Sequence, residues 1–375
     1  MPMRRGRGQG ARQHQSDTRS AKVTCVRYLL NALAIVFALG FATATQAADC
    51  SALTTGIDRD KLVFFVKDGA RADAIGSDWY ALEGRIGRAA DWLKLAPYRE
   101  ADATEAIVNA RKTAEFAQKE IARLRADLKT LPKDGPSFPP VFFWPEGWLR
   151  LALAVLDSLQ IQANYLAEEA DALAAGNMEE VARIANARNT DLSGFDSYFA
   201  AFDRQMVALL PKSHPELTLM EMRVHWHGLF ALYAEREGKR DPAEIREASL
   251  KIIEKLNQVA RDIDADIPKF EAAIPGFRKH LAPYLLTLSC DAEQADAGLE
   301  KYIATYRAFV PLAHKTVELL RDYARVEVDF LNNGPSEEVY ERYDAVSFRY
   351  EEVSKAVSAQ WSERAKILTE MVRRD

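Results

Sequence analysis

The chain has 375 residues, of which 48% are hydrophobic and 28% are charged, with 18 glycines and 15 prolines. This composition excludes a disordered, collagen-like or disulfide-scaffold protein and indicates a globular protein with a large apolar core. The formal net charge of −5 combines a basic N-terminal stretch with an acidic remainder.

Residues 1–47 have the pattern of a secretory signal peptide. Seven basic residues and one acid precede an apolar run over residues 28–44, and small residues follow at Thr45 and Ala47. This order predicts export to the periplasm or the medium, with cleavage after Ala47. The apolar run is about 17 residues long, near the lower limit for a membrane span, so a retained N-terminal anchor is the alternative.

Cleavage would leave an acidic mature chain. Without the seven basic residues and the acid of the signal, 50 basic and 55 acidic residues become 43 and 54, a net charge of −11. An acidic chain is a poor partner for nucleic acid or for an anionic membrane surface. We therefore expect no nucleic-acid partner, and a membrane contact only if the N-terminal segment is retained.

Two cysteines, Cys50 and Cys290, follow the cleavage site. An even pair in an oxidising compartment predicts a disulfide. It would close a loop of about 240 residues, for which the chain-entropy model gives a stabilisation of roughly 5 kcal/mol at most. Two unpaired thiols are the alternative.

Residues 48–77 are predicted to form an extended or capping segment ahead of a helical domain over residues 78–375. The basis is the short apolar run between Lys61 and Lys67, which is followed by Asp68 and Gly69. A run of this length bounded by a turn signal is typical of a strand or of an extended segment laid on a bundle.

Hydrophobic periodicity predicts helix almost throughout the rest of the chain. Apolar or small residues recur at alternating steps of three and four in four stretches: 107–131, 149–173, 245–263 and 339–357. Such stripes are the seams of bundles and coiled coils. Short breaks at 176–177, 238–242 and 332–336 make neighbouring helices antiparallel. The predicted fold is all-α, an elongated irregular bundle of long helical hairpins.

Residues 132–148 differ from the rest, because five prolines among them exclude a helix before Glu146. The segment also carries five aromatic residues: Phe138, Phe142, Phe143, Trp144 and Trp148. Aromatic residues are enriched at protein interfaces. The stretch over residues 136–148 is therefore a candidate partner-binding loop, and a crossover loop that plugs the bundle is the alternative.

His225, Trp226 and His227 are predicted to lie in a helix that begins near Glu216. His227 would fall on an apolar seam, and His225 would share a polar stripe with Glu221. Core histidines are the ordinary interpretation. The alternative is a metal or haem ligand set built on Glu221, His225 or His227, although no CxxCH or HExxH motif supports it.

Residues 262–266 (DIDAD) imitate the start of a calcium loop. Position six of that loop requires Gly and is Ile267, and position twelve requires Glu and is Ala273. We interpret the stretch as the solvated end of a helix.

No nucleophile motif and no phosphate-binding glycine loop appears after the signal. The sequence predicts an exported, non-enzymatic helical protein that binds a partner protein or an apolar ligand, through the loop over residues 136–148, with no cofactor. The alternative hypothesis is a helical-bundle metal or haem protein that uses His225 or His227.

Overall fold

The computed structural model describes residues 56–98, 100–132, 145–209, 215–237, 239, 241–334 and 336–372. These residues form helices and no strand, which confirms the all-α prediction. The helices are α1 Arg59–Leu95, α2 Glu100–Lys129, α3 Pro145–Ala174, α4 Met178–Leu209, α5 Pro215–Val224, α6 Leu229–Glu237, α7 Pro242–Ser289, α8 Ala292–Asn333 and α9 Glu337–Val372, with a 3-10 turn at Ala96–Tyr98. The predicted signal segment lies outside the described residues.

Helices α2 and α3 form an antiparallel pair, and polar contacts on their surface record the register. Three contacts recur at intervals of seven residues: Arg111 with Asp171 (2.7 Å), Gln118 with Asn164 (3.4 Å) and Arg125 with Asp157 (2.6 Å). Alongside these contacts the predicted seams are buried, from Ala110 to Leu128 on α2 and from Ala152 to Ala170 on α3. The heptad spacing matches the geometry of coiled coils, in which charged pairs flank an apolar seam.

Helices α7 and α8 form a longer hairpin with the same seven-residue interval. Four polar contacts line one side of it: Asn257 with Arg321 (3.1 Å), Asp264 with His314 (3.3 Å), Glu271 with Arg307 (2.7 Å) and Arg278 with Glu300. The hairpin turns at Cys290, which has a left-handed backbone (φ 53°), and Asp291 caps α8 by accepting from the Gln294 amide at 3.0 Å.

Helices α1 and α9 pack closely along their length in an antiparallel arrangement, which we call the α1–α9 seam. Two glycines of α1 make the approach possible. A Cβ built on Gly84 would lie 2.7 Å from the Cβ of Ser354, and one built on Gly87 would lie 2.9 Å from the ring of Tyr350. Neither position has room for a larger side chain.

We expect Gly84→Ala to lower the free energy of unfolding by up to about 2 kcal/mol, because inserting a methyl group into a filled contact costs about 1–3 kcal/mol. The gain in helix propensity, about 1 kcal/mol, offsets only part of this cost. Gly194→Ala in α4 is the matched control, since a Cβ there meets nothing within 4 Å. The control should gain about 0.5–1 kcal/mol. Urea denaturation measures the free energy of unfolding of both variants. Equal stabilisation of the two would contradict the close packing of the seam.

The predicted extended segment over residues 61–67 is wrong. These residues belong to α1, which begins after the N-cap Asp58 and continues without a break through residue 77. Leu62, Phe65 and Val66 are buried on one face, and Phe64 is exposed. The short apolar run suggested a strand. In the structure its buried residues have helical spacing and pack against the bundle, because tertiary packing outweighs weak β-propensity.

The interpretation of residues 262–266 as a helix end is also wrong, since they lie in the middle of the 48-residue helix α7. Three prolines, Pro268, Pro275 and Pro283, follow within the same helix, and all three are exposed. Proline on the solvent side leaves the unpaired carbonyl open to water and lets a long helix curve around the core.

No described helix has both the length and the apolar character to cross a membrane.

Candidate functional site

The two candidate histidines lie in a turn rather than in a helix, which corrects the sequence prediction. Helix α5 ends at Val224, residues 225–228 form a turn, and α6 begins at Leu229. Gly228 has a φ of 86°, a conformation that favours glycine and ends the helical path. The directions of the His225 and His227 side chains are therefore set by the turn and not by helical periodicity.

His225 is directed towards α7. Its Nε2 lies 2.7 Å from Oδ2 of Asp266, and its Nδ1 lies 3.8 Å from Asp262. Asp266 is buried and also accepts from Lys269 at 2.7 Å. These contacts fasten the α5–α6 turn to α7, and they explain why two of the aspartates in the DIDAD stretch face the protein.

His227 is directed towards α4. Its Nε2 lies 3.2 Å from Asp203, and Arg223 lies 3.2 Å from the other oxygen of the same carboxylate. Asp203 is completely buried, and burial raises its pKa while the charges of Arg223 and His227 oppose the rise. A buried carboxylate between two bases is an internal ion pair that ties α4 to the turn.

The two histidines thus have separate carboxylate partners on separate helices. Among the described residues, no group of three or more His, Cys, Asp or Glu side chains is arranged to hold a metal ion. Glu221 is half-buried on α5, and the sequence hypothesis that joined it to His225 as a ligand pair has no third ligand in the described part of the chain.

Of the five aromatic residues in the candidate loop, only Trp148 lies within the described residues; Phe138, Phe142, Phe143 and Trp144 fall outside them. Trp148 is half-buried in the first turn of α3 and stacks on Trp79 of α1, with ring centroids 5.5 Å apart and planes at 23°. It packs against the core formed by α1, α2 and α3. Trp148 therefore anchors the start of α3, and both the partner-binding loop and the plug stay predictions for the other four aromatic residues.

A groove lies between α3 and α4, starting just after this anchor. It has a volume of about 380 Å³ and is lined by Arg150, Leu153, Ala154, Asp157, Gly194, Phe195 and Tyr198. Leu153 and Tyr198 are 46% and 40% exposed and lie side by side in this groove with Phe195. We call this feature the α3–α4 groove.

The α3–α4 groove combines an apolar floor with polar edges. Asp157 forms an ion pair with Arg125 at 2.6 Å, and the Tyr198 hydroxyl donates to the Arg150 carbonyl at 3.3 Å. The sequence carries a signal for this site, since residues 151–156 (LALAVL) are all apolar. Six consecutive apolar residues cover every side of a helix, so a single buried face cannot accommodate them all.

A second polar cluster joins α1, α6, α8 and α9 in the interior. The Tyr323 hydroxyl donates to Asp91 at 2.6 Å and also contacts the Tyr343 hydroxyl. Lys94 lies 2.8 Å from Glu327, and Arg236 of α6 pairs with the same carboxylate. Burial raises the pKa of Asp91 and, with the Asp91 charge, holds the pKa of Tyr323 well above its usual range. Each of these polar groups has a partner, so the cluster is a structural network.

One carboxyl beside this cluster differs from the others. Burial raises the pKa of Glu83 to about 7, and the charge of Glu83 is the main reason why the pKa of Tyr350 is well above its usual range. Perturbed ionisable groups concentrate at functional sites, although structural networks perturb them too. The periodicity of the sequence gave no sign of Glu83, because its isolation depends on which helices surround it.

Comparisons with known proteins identify no relative: no family model, no curated protein and no solved structure matches this chain.

Proposed function

We propose that this protein is an exported, non-enzymatic binding protein whose α3–α4 groove receives an amphipathic helix of a partner protein. The observation that carries the proposal is the exposure of Leu153 in a groove floored by apolar side chains. Two antiparallel helices that leave apolar residues exposed between them offer the surface on which a third helix packs.

The shape of the groove favours a protein partner over a small apolar ligand. Small-molecule sites bury most of the ligand surface in a concave pocket. The α3–α4 groove is open to solvent, and Arg150 and Asp157 border it with one charge of each sign. A helix with an apolar stripe flanked by both Lys and Glu would complement such a surface.

The candidate loop over residues 136–148 remains part of this proposal because it is adjacent in sequence to the helix that forms one side of the groove. It leads directly into α3, and Trp148 holds the start of α3 against Trp79. The alternative function, a metal or haem protein using His225 or His227, has less support, because each histidine is paired with its own aspartate.

We also propose that export is followed by formation of the Cys50–Cys290 disulfide. Cys50 lies outside the described residues, but Arg59 offers support. Its Nε donates to the Thr287 carbonyl at 3.1 Å and its Nη2 to the Leu288 carbonyl at 3.2 Å, which places the start of α1 beside the α7–α8 turn. The nine residues from Cys50 to Arg59 can span up to roughly 30 Å, so the pairing is within reach.

The groove is tested with a synthetic fluorescent amphipathic helical peptide that carries leucines at i, i+3, i+4 and i+7 and mixed Lys and Glu elsewhere. We expect Leu153→Ser to weaken its binding by roughly fivefold to tenfold in fluorescence anisotropy, since further burial of a half-exposed Leu contributes about 1 kcal/mol. Leu250→Ser is the matched control, because Leu250 is a 52% exposed leucine on α7, away from the groove.

Equal weakening by both substitutions, or no binding to the unsubstituted protein, would contradict the groove proposal. Binding of a small apolar dye that Leu153→Ser abolishes, without binding of the peptide, would instead support the apolar-ligand hypothesis. Circular dichroism of each variant establishes that its helices are intact.

A further inference from the structure

The exposed side of α3 has the character of the helix that the α3–α4 groove would receive. Between residues 150 and 157 the exposed positions are Arg150, Leu153 and Asp157. Steps of three and four residues place all three on one face of a helix. Helix α3 therefore presents a leucine between a positive and a negative charge, and such a pattern complements an apolar groove that is bordered by one charge of each sign.

The two charges are placed symmetrically about the apolar part of the groove. Residues 150 and 157 are seven positions apart, about 10.5 Å along the helix axis. Their midpoint lies between Leu153 and Ala154, which both line the groove. When two copies of α3 pack antiparallel about a two-fold axis at this midpoint, residue 150 of each copy lies opposite residue 157 of the other, and residue 153 lies opposite residue 154. Each Arg150 then meets an Asp157, and each Leu153 meets an alanine.

The α4 side of the groove leaves room for a second helix. Gly194 is exposed, and a Cβ built on it would meet no atom within 4 Å. Beside it, Phe195 is half-buried and Tyr198 is exposed. A helix can therefore approach closely over Gly194, while the two aromatic rings of α4 cover the leucine that it brings.

The charges at the edges of the groove are accessible to a second copy. Asp157 accepts from Arg125 through Oδ1 at 2.6 Å, and its side chain is 53% exposed. Its other oxygen can accept a further hydrogen bond, because both oxygens of a carboxylate are acceptors. Arg150 is exposed on the same face of α3. One exposed ion pair contributes little to affinity, but a two-fold interface forms every contact twice.

We propose that the amphipathic helix received by the α3–α4 groove is α3 of a second copy, so that the exported protein forms a two-fold homodimer through this face. The inference rests on the function proposed above for the groove and identifies the partner. A different protein would have to supply a leucine between opposite charges at matching spacing, whereas a second copy carries that pattern by symmetry. Residues 150–157 make about two turns of helix, so we expect a small interface and a weak dimer, with a Kd in the micromolar range.

Analytical ultracentrifugation of the exported chain measures the Kd of the dimer. The unsubstituted protein should pass from monomer to dimer as its concentration rises through the micromolar range. Leu153→Ser should raise the Kd roughly 25-fold to 100-fold, because the fivefold to tenfold effect of one leucine is felt at two symmetric positions. Leu250→Ser, which removes an exposed leucine of α7, is the matched control and should leave the Kd unchanged.

Charge reversal distinguishes the two-fold arrangement from any other dimer. A copy with Arg150→Asp presents two carboxylates at the interface, and a copy with Asp157→Arg presents two guanidinium groups. Each variant alone brings like charges together twice, so its Kd should rise roughly tenfold or more. An equimolar mixture should form a mixed dimer about as tightly as the unsubstituted protein, because both pairs then have opposite charges. A fluorescent label on one variant detects the mixed dimer.

The proposal is overturned if the unsubstituted chain stays monomeric throughout the micromolar range, if the two leucine variants weaken the dimer equally, or if the mixed charge variants fail to associate. The fluorescent helical peptide separates this failure from that of the groove itself. A monomer that binds the peptide in a manner that depends on Leu153 would overturn the homodimer and keep the groove as a site for another protein. A monomer that binds no peptide would overturn both. Excess peptide should dissociate the dimer, and a dimer that persists with peptide bound would contradict pairing through the groove.

Discussion

Replacing Arg364 by Met is expected to lower the free energy of unfolding by about 3–5 kcal/mol, because it leaves a buried acid without its countercharge. Arg364 is only 4% exposed and lies in the interior between α1, α8 and α9. Its Nη2 donates to the hydroxyls of Tyr302 at 3.3 Å and Tyr306 at 3.1 Å, and its Nε lies 3.9 Å from Asp73. The guanidinium also lies 4.9 Å from the ring centroid of Trp361, within the range of a cation–π contact.

Chemical denaturation measures this loss, and two further variants define its cause. Arg325→Met removes an exposed arginine paired with Asp322 and should change stability by less than about 0.5 kcal/mol. Adding Asp73→Asn to Arg364→Met should restore part of the loss, because the uncompensated charge is then gone. If Arg364→Met alone were as stable as the Arg325→Met control, the buried ion pair would contribute nothing to the fold.

Loss of the proposed Cys50–Cys290 disulfide should destabilise the exported protein by up to about 5 kcal/mol, since a cross-link over roughly 240 residues restricts the unfolded chain strongly. Cys50→Ser is the informative variant, because Cys290 has a φ of 53° and a substitution there would also alter a strained backbone position. Against a typical stability of about 5–15 kcal/mol, such a loss moves the denaturation midpoint far enough to be measured without ambiguity.

Reduction with dithiothreitol is the matched control for this variant. Reduced wild-type protein and Cys50→Ser should denature at the same urea concentration. The oxidised wild type should denature at a higher urea concentration. Thiol counting on the unreduced, unfolded protein should find none. Two titratable thiols, together with no effect of dithiothreitol on the midpoint, would exclude the disulfide.

The seams of the long hairpins could be read from the sequence, because burial there depends only on helical period. Ala114, Ile121 and Leu128 on α2 and Leu156, Ala163 and Ala170 on α3 are all buried, as their spacing predicted. The breaks at Gly176 and Gly334 also have the positive φ expected where helices end in glycine. Period and turn chemistry are local properties, so one sequence is enough to predict them.

The candidate sites depend on contacts between distant residues, and the sequence predicted them poorly. His225 is 41 residues from Asp266, and nothing local to either residue indicates their contact. The α3–α4 groove forms because Leu153 is left exposed while Leu151, Ala152, Ala154 and Leu156 of the same apolar run are buried, which depends on where α4 lies. Glu83 resembles any other glutamate in a helical sequence, because its partial burial depends on which helices surround it.

The antiparallel pairing of α1 with α9 also constrains the order in which the parts of the protein can fold. About 240 residues separate the end of α1 from the start of α9. In a chain that emerges N-terminus first, α1 is therefore present before the helix that covers it. During that interval the surface around Gly84 and Gly87 has no native counterpart, whereas α2 and α3 can close as a local hairpin. The N-terminal helix therefore depends on the last part of the chain to reach its native environment, and contacts of such long range are the slow step in folding.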